Sequence, residues 1–194
     1  NANLGSHWES RNSSFKPYPS AHVIHPYSSA AIRLKKKHNR QIDDIENVDC
    51  PVTGFIVSIV CEPISEKHAP ASDSHGRVSL QYSVAEALHA GELGKHAYSD
   101  QSLRNPEILG LARKVRYHID PNYPGPGRFK GAVKVTLKDG RQLAEVEGYN
   151  RGSAGNPRAY EELEARLDAS ASGVWSRSAQ HARQEQIRRV RQLP

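Results

Sequence analysis

A short proline-containing segment near the start of the chain carries side chains that could bind an anion and move a proton. Residues 15–25 read Phe-Lys-Pro-Tyr-Pro-Ser-Ala-His-Val-Ile-His and so hold a cation, a phenol and two imidazoles. Pro17 and Pro19 fix their own φ and disfavour the helical region for the residue before each of them. The spacing alone leaves two interpretations open. The segment is either a proline-rich loop with solvated charges or a stiff strip that presents Lys16 and Tyr18 to an anion.

The rest of the chain predicts the helices and strands that would position this segment. Helical signals occur at 26–38, from Leu80 to Gly91, after Ser99 or Asp100, from Pro106 to just before Lys114, from Asn156-Pro157 through Leu167, and at 178–192. Strand signals occur at 48–52, 55–61, 115–119 and 133–137, with a return strand through Leu143 and Val146. The Asp-Gly pair at 139–140 is a strong hairpin signal. Together these elements predict an α+β fold, a two-layer domain with an antiparallel-containing sheet.

Three further predictions come from local sequence patterns. The run Phe55–Cys61 is continuous and β-branched, which favours a central strand covered on both faces. Residues 62–75 contain two prolines and no periodicity, so a loop is predicted there. In the last helix, Ile187 and Val190 are predicted to face inward.

The composition favours a water-soluble body of one domain with appendages. The 194 residues include 37% hydrophobic residues and have a mean hydropathy of −0.70, which is low for a self-sufficient globule. No apolar run approaches the roughly 18 residues that a membrane-spanning helix needs, and no signal peptide precedes Asn1, so a cytoplasmic protein is expected. Cys50 and Cys61 are predicted to be reduced thiols, and their surroundings match no zinc-site spacing.

The net charge of +6 raises the question of a nucleic-acid partner. The basic residues cluster at 33–40 and 183–191, on helix-like segments without interleaved aromatic residues. This distribution predicts solvated helix faces and no nucleic-acid binding. Attraction of a polycarboxylate substrate is the second use that the same positive field would have.

Several motifs together resemble one enzyme family. Phe15–Pro19, followed by His25 at the start of an alanine-rich helix, is similar to the signature of the MmgE/PrpD family. Arg77–Ala85, Gly125–Gly131 and Tyr149–Ser153 resemble later parts of that family in the same order. The family contains 2-methylcitrate dehydratases, cis-aconitate decarboxylases and iminodisuccinate epimerases. The resemblance covers most of residues 4–170.

The resemblance implies that part of the enzyme is absent from this sequence. Family members are more than twice as long, and their N-terminal half is an all-helical domain that supplies part of the active site. The sequence contains no methionine, so it is expected to be a fragment, a processed piece or a truncated reading frame. The expected domains are 1–40, a segment leading to the absent helical domain; 41–155, the small α+β domain; and 156–194, C-terminal helices. The terminal segments would pack on the missing domain.

The resemblance also implies a reaction and the residues that perform it. It implies a lyase or isomerase that uses no cofactor and acts on a di- or tricarboxylate such as 2-methylcitrate. Lys16 matches the active-site lysine of the motif, and His25 matches the motif's terminal histidine. Tyr18 and His22 lie on the same segment as further catalytic candidates. Some members have a histidine where this chain has Ala21, one position before His22, so which imidazole faces the substrate stays open.

Four more residues are candidates for binding the substrate: Arg77, Tyr82, Arg128 and Lys130. Arg77 and Tyr82 follow the predicted loop and could reach a cleft, although Tyr82 is equally well explained as a core aromatic residue. Arg128 and Lys130 flank Phe129 in a glycine-rich loop. That loop either closes over a carboxylate or is an exposed turn before a strand.

Two functional classes therefore remain at this stage. The first is the small domain of a dehydratase, decarboxylase or epimerase, which by itself is expected to be inactive. The second is a non-catalytic descendant that binds an anion or a partner protein. The helices at 26–38 and 178–192 carry apolar stripes, so we expect a homodimer or association with a helical N-terminal domain. No membrane partner is expected.

Overall fold

The computed structural model describes residues 5–6, 13–38, 44–123, 125 and 129–190. It divides into two compact units, Asn1–Asn156 and Pro157–Pro194. The first unit contains the sheet and most of the helices, and the second contains a pair of helices. None of the described helices is both long enough and apolar enough to cross a bilayer.

The first unit is built on a mixed four-stranded sheet. Its strands are β1 (Ile45–Val52), β2 (Val115–Ile119), β3 (Gly131–Leu137) and β4 (Gln142–Glu147). They lie in the order β2-β1-β3-β4, with β1 parallel to β2 and the other neighbours antiparallel. The tight turn between β3 and β4 contains the predicted Asp-Gly pair. The α+β fold predicted from the sequence is confirmed.

Among the described residues of this unit, six α-helices accompany the sheet: α1 (His25–His38), α2 (Ile64–His68), α3 (Asp73–Arg77), α4 (Leu80–Ala90), α5 (Asp100–Leu103) and α6 (Pro106–Ala112). Local signals set several of their ends. The Ser79 hydroxyl accepts a hydrogen bond from the Tyr82 amide and caps α4, and Gly91 ends the same helix in the left-handed conformation. Ser99 caps α5 in the same way as Ser79 caps α4. The predicted helices at these positions are confirmed.

Helices α1 and α4 pack against each other and form the second layer. Helix α1 also contacts β3 and β4, and α4 contacts β2 and α6. On β3, Val133 and Val135 are buried while Lys134 between them is exposed, so one face of this strand is covered and the other reaches water at Lys134. Cys50 and Cys61 are buried free thiols, as predicted.

The strand predicted at Phe55–Cys61 is wrong. Gly54–Ile56 form a 3₁₀ turn and Val57–Cys61 form a π-helical turn. Two carbonyls of this segment accept hydrogen bonds from side chains outside it: Gln81 donates to Cys61 O at 3.0 Å and Lys67 donates to Ile59 O at 3.2 Å. The buried residues of this segment are Ile56, Val60 and Cys61, a spacing that fits a helical turn. A continuous run of apolar residues shows no periodicity, so the sequence could not distinguish this turn from a strand.

The loop predicted at 62–75 is also partly wrong, because it contains α2 and most of α3. In the second unit, α7 spans Tyr160–Ala171 and begins later than the Asn156-Pro157 signal suggested. Helix α8 spans Arg177–Val190, and the predicted positions 191 and 192 lie outside the described residues. Ile187 was predicted to face inward, but 47% of its surface is exposed.

Candidate functional site

Four of the residues singled out from the sequence line one open cleft of about 670 Å³ in the first unit. They are Lys16, Tyr18, His22 and Arg77. The other lining residues come from the same two stretches of chain and are Pro19, Ser20, Ala21, Ser74 and Val78. The cleft therefore lies between the proline-containing strip, residues 15–22, and helix α3 with the residue that follows it.

Hydrogen bonds hold this strip at both ends. The Phe15 amide donates to Gly152 O at 3.0 Å. At the other end, the Ala21 amide donates to Arg77 O at 2.8 Å, and the Arg77 guanidinium donates from Nη1 to Pro19 O at 2.7 Å. These contacts fix the backbone on both sides of Lys16 and Tyr18, so the strip presents both side chains from a defined path.

Tyr18 and His25 join the strip to helix α1. The Tyr18 hydroxyl lies 3.0 Å from Ser29 Oγ, and its ring meets the His25 ring in an edge-to-face contact with centroids 5.4 Å apart. His25 is fully buried, and its Nε2 lies 3.2 Å from Ser20 O. Because a carbonyl only accepts hydrogen bonds, Nε2 of His25 carries a proton. His25 thus lies behind the strip and does not line the cleft.

His22 is the imidazole that lines the cleft. Its ring contacts His25, with centroids 5.0 Å apart, and Phe129, with centroids 5.5 Å apart. Its Nε2 atom is buried and has no hydrogen-bond partner among the described residues. Burial lowers the pKa of His22, and the positive charge of Lys16 lowers it further. His22 is therefore a neutral imidazole at pH 7, which is the form that can accept a proton.

The two cations of the cleft differ in what they already bind. The Arg77 Nε and Nη2 atoms pair with Asp73 at 2.5 and 2.8 Å, and Nη1 donates to Pro19 O. Lys16 is exposed and pairs with no described residue. None of the residues that line the cleft, within the described ranges, is acidic. Lys16 is consequently the cation available to an anionic ligand, while Arg77 organises the strip.

The other three candidates lie elsewhere or are not described. Tyr82 is fully buried, and its hydroxyl donates to Ala97 O at 3.0 Å, so it is a core aromatic residue and we leave it out of the site. The Lys130 ammonium lies 4.5 Å from the ring centroid of Tyr123, in a cation–π contact. Arg128 lies outside the described residues.

Sequence reasoning missed Phe129, which packs on His22 and stacks on Phe55 with centroids 6.3 Å apart. The glycine-rich loop drew attention only to its two flanking cations, and an aromatic residue between them carried no separate signal. Ser74, on the opposite wall of the cleft, was also missed. Over the ranges that the structure describes, no group of three or more histidine, cysteine, aspartate or glutamate side chains is placed to hold a metal ion.

Comparison with known proteins gives a consistent result. The model of the MmgE/PrpD C-terminal domain matches residues 18–192. A probable 2-methylcitrate dehydratase of Saccharomyces cerevisiae is 29% identical over 123 residues, which are 60% of this chain and 23% of that protein. Human cis-aconitate decarboxylase is 28% identical over 108 residues, which are 55% of this chain and 22% of that protein. The match thus spans less than a quarter of the length of either relative.

Proposed function

The chain belongs to the MmgE/PrpD family, and from this membership we propose that it is the C-terminal part of a lyase or isomerase that acts on a di- or tricarboxylate such as 2-methylcitrate. The proposed enzyme uses no cofactor. Two relatives support this class of substrate, since one is named for the dehydration of 2-methylcitrate and the other for the decarboxylation of cis-aconitate.

The observation that carries the proposal is the pairing of an available cation with a neutral imidazole on the walls of one cleft. Lys16 can donate charge-assisted hydrogen bonds to a substrate carboxylate. Dehydration, decarboxylation and epimerisation all develop negative charge on a carbon next to a carboxylate. A cation placed at that carboxylate stabilises this charge more strongly in the transition state than in the ground state.

His22 is the proposed proton acceptor. Its lowered pKa keeps the imidazole neutral near pH 7, so it can take a proton from the carbon beside the bound carboxylate. In a decarboxylation the same ring would first take a proton from solvent and then donate it to the carbanion that remains after carbon dioxide leaves, which returns the ring to its neutral form. Tyr18 borders the cleft with its hydroxyl 3.0 Å from Ser29 Oγ, and His25 supports the strip from behind.

We further propose that this cleft is one part of a larger active site. It is open to solvent, while elimination and decarboxylation benefit from a site that excludes water. A helical region of the longer protein would supply the remaining wall and the acid that protonates a leaving hydroxyl. The isolated 194-residue chain would then bind a polycarboxylate without turning it over. We also propose that the protein is cytoplasmic and that it forms a homodimer or associates with the helical region.

Citrate binding measured by isothermal titration calorimetry tests the site. Lys16→Ala removes a charge-assisted hydrogen bond worth about 1.5–3 kcal/mol, so the affinity for citrate should fall by about one to two decades. Lys36→Ala is a matched control, because Lys36 is exposed on α1. It lies about 16 Å from His25 along the helix axis at 1.5 Å per residue. Equal affinities in all three proteins would overturn the assignment of the site.

Turnover assays separate the two functional classes. The isolated chain should show no dehydration or decarboxylation of 2-methylcitrate or cis-aconitate, and robust turnover would contradict the proposed division of the active site. In a longer protein that includes a preceding helical region, Lys16→Ala should depress turnover as well as binding. Citrate binding that depends on Lys16, together with an inactive longer protein, would instead identify an anion-binding domain without catalysis.

A further inference from the structure

The orientation of the His22 ring depends on its neighbours. Its Nε2 atom is buried and has no hydrogen-bond partner among the described residues, and the ring contacts both His25 and Phe129. No hydrogen bond at Nε2 therefore selects the plane of the ring. The packing of the two adjacent rings must therefore define that plane.

Phe129 is itself held in place from behind. Its ring meets the His22 ring at an interplanar angle of 65° and stacks on the Phe55 ring at 20°, so the phenylalanine ring lies between the two. Phe55 comes from the 3₁₀ turn after β1, which places a fixed element of the fold behind Phe129. Phe129 therefore connects His22 to Phe55 and, through Phe55, to the turn after β1.

Two glycines place the chain on either side of Phe129 close to other elements. A Cβ atom on Gly125 would lie 2.9 Å from the ring of Phe55, and one on Gly131 would lie 2.9 Å from Pro26 Cβ and Tyr27 N. Both distances are shorter than ordinary van der Waals contact, so a larger residue would displace its neighbour. These approaches put one end of the loop on Phe55 and the other end on the first turn of α1.

From these contacts we propose that Phe129 is a positioning residue for His22. Backed by Phe55, it sets the plane of the imidazole and shields Nε2 from water. A role of Phe129 in catalysis rests on the function proposed above, whereas its effect on the orientation and pKa of His22 does not. No other described residue joins His22 to an aromatic side chain outside the strip and α1.

The protonation behaviour of His22 agrees with this role. Burial is the largest cause of its lowered pKa, and Phe129 is one of the two rings that bury it. Lys16 on the strip is the other cause, and the remaining titratable groups near His22 are His25 on α1 and Arg77 across the cleft. Replacing Phe129 with alanine removes none of these three charged or titratable side chains. A change in the pKa of His22 in that variant therefore reports on hydration of the ring.

The titration of His22, followed by two-bond ¹H–¹⁵N NMR correlations of the imidazoles in the full chain, tests the proposal. The His22 signals are assigned from the spectrum of His22→Gln. In Phe129→Ala the pKa of His22 should rise toward the ordinary value of about 6.5, because water reaches the imidazolium. Phe129→Leu keeps an apolar side chain over His22, so the pKa of His22 should stay close to its lowered wild-type value. Phe55→Ala removes the support behind Phe129 and should shift the pKa in the same direction by less.

The chain offers a matched control, since its three phenylalanines are Phe15, Phe55 and Phe129. Phe15→Ala should leave the His22 titration unchanged, because that side chain is 69% exposed and lies outside the ring contacts of His22. Thermal melts confirm that each variant is folded, and if Phe129→Ala does not fold, Phe55→Ala decides. A His22 titration that is unchanged in folded Phe129→Ala, or in folded Phe55→Ala where Phe129→Ala does not fold, would overturn the proposal. That result would leave the citrate experiment on Lys16 unaffected.

Discussion

Arg77 Nη1 donates a hydrogen bond to the carbonyl of Pro19 at 2.7 Å, and the Arg77 carbonyl accepts one from the amide of Ala21 at 2.8 Å. Arg77 therefore binds the strip through both its side chain and its backbone. The rest of its guanidinium pairs with Asp73, which raises the pKa of Arg77 and leaves it charged at every accessible pH. Arg77, which its position after the predicted loop made a candidate substrate ligand, holds the segment that carries Lys16 in this structure.

Replacing Arg77 with lysine should loosen the strip although it keeps the positive charge. Lysine lacks the planar fork that reaches Asp73 and Pro19 together. Amide hydrogen exchange at Ala21 should therefore become faster by about tenfold or more, and citrate affinity should fall. Arg116→Lys, at an exposed position of β2, is the control and should change neither quantity. If Arg77→Lys keeps wild-type exchange and affinity, Arg77 contributes only its charge.

Sulfate binding should strengthen as the pH falls through the pKa of His22. Sulfate keeps its charge between about pH 5 and pH 8, so the change reports on the protein. The pKa of His22 lies below its ordinary value, and protonation below that pKa adds a cation to the one already present on Lys16. A bound anion in turn favours the imidazolium.

Calorimetric titrations of sulfate at several pH values measure this dependence. His22→Gln should flatten the profile, whereas His118→Gln should keep it, because His118 pairs with Asp49 on the sheet. A profile that survives His22→Gln would place the titrating group elsewhere.

Glu86 should make the fold less stable as the pH rises. Burial raises the pKa of its carboxyl from an ordinary 4.5 to about 7, with the Ser102 hydroxyl as its hydrogen-bond donor. Between these values the unfolded state releases the proton and the folded state keeps it, so the free energy of unfolding falls as the pH increases.

Denaturant titrations of Glu86→Gln check this sign. The variant should gain stability relative to the wild type from about pH 4.5 to about 7, and the difference should then level off. Glu46→Gln changes an exposed carboxylate and should produce no such trend. A constant difference between Glu86→Gln and the wild type across this range would show that Glu86 is ionised in the fold.

Two glycine-to-alanine substitutions should have opposite effects on stability. At Gly131 the new Cβ would lie 2.9 Å from Tyr27 N, so backbone must move and the fold is destabilised, by about 1–3 kcal/mol for an overpacked position. Gly110 lies within α6, and a Cβ there meets nothing within 4 Å. Gly110→Ala should stabilise the helix by about 0.5–1 kcal/mol. Thermal unfolding of both variants measures the contrast, and a neutral Gly131→Ala would mean that the first turn of α1 yields easily.

Local signals explain which elements could be predicted from the sequence. Helix α4 lies between a serine cap and Gly91, and the β3–β4 hairpin turns at an Asp-Gly pair, so each is specified by residues within or next to it. The turns at 54–61 are different. Two of their carbonyls, those of Cys61 and Ile59, accept hydrogen bonds from the side chains of Gln81 and Lys67, which lie outside the segment, and the sequence pattern within 54–61 does not predict such donors.

The same distinction separates the parts of the candidate site. Lys16, Tyr18 and His22 could be predicted to act together because one rigid strip carries all three. His25 belongs to the same motif, yet the start of α1 turns it into the interior. Phe129 reaches His22 only through the return of the chain after β2. Contacts of that kind depend on the tertiary fold, and residue types along the sequence do not reveal them.

The hydrogen bond between Phe15 and Gly152 also restricts which sequences can share this cleft. Gly152 has a φ of +90°, and a Cβ atom on it would lie 2.3 Å from Phe15 O. No side chain fits at this position while the strip keeps its path. Any homologue that presents its lysine along the same path must carry glycine here, even if the rest of the loop has diverged. Residue 152 is thus a marker by which members of the family can be sorted before any of them is assayed.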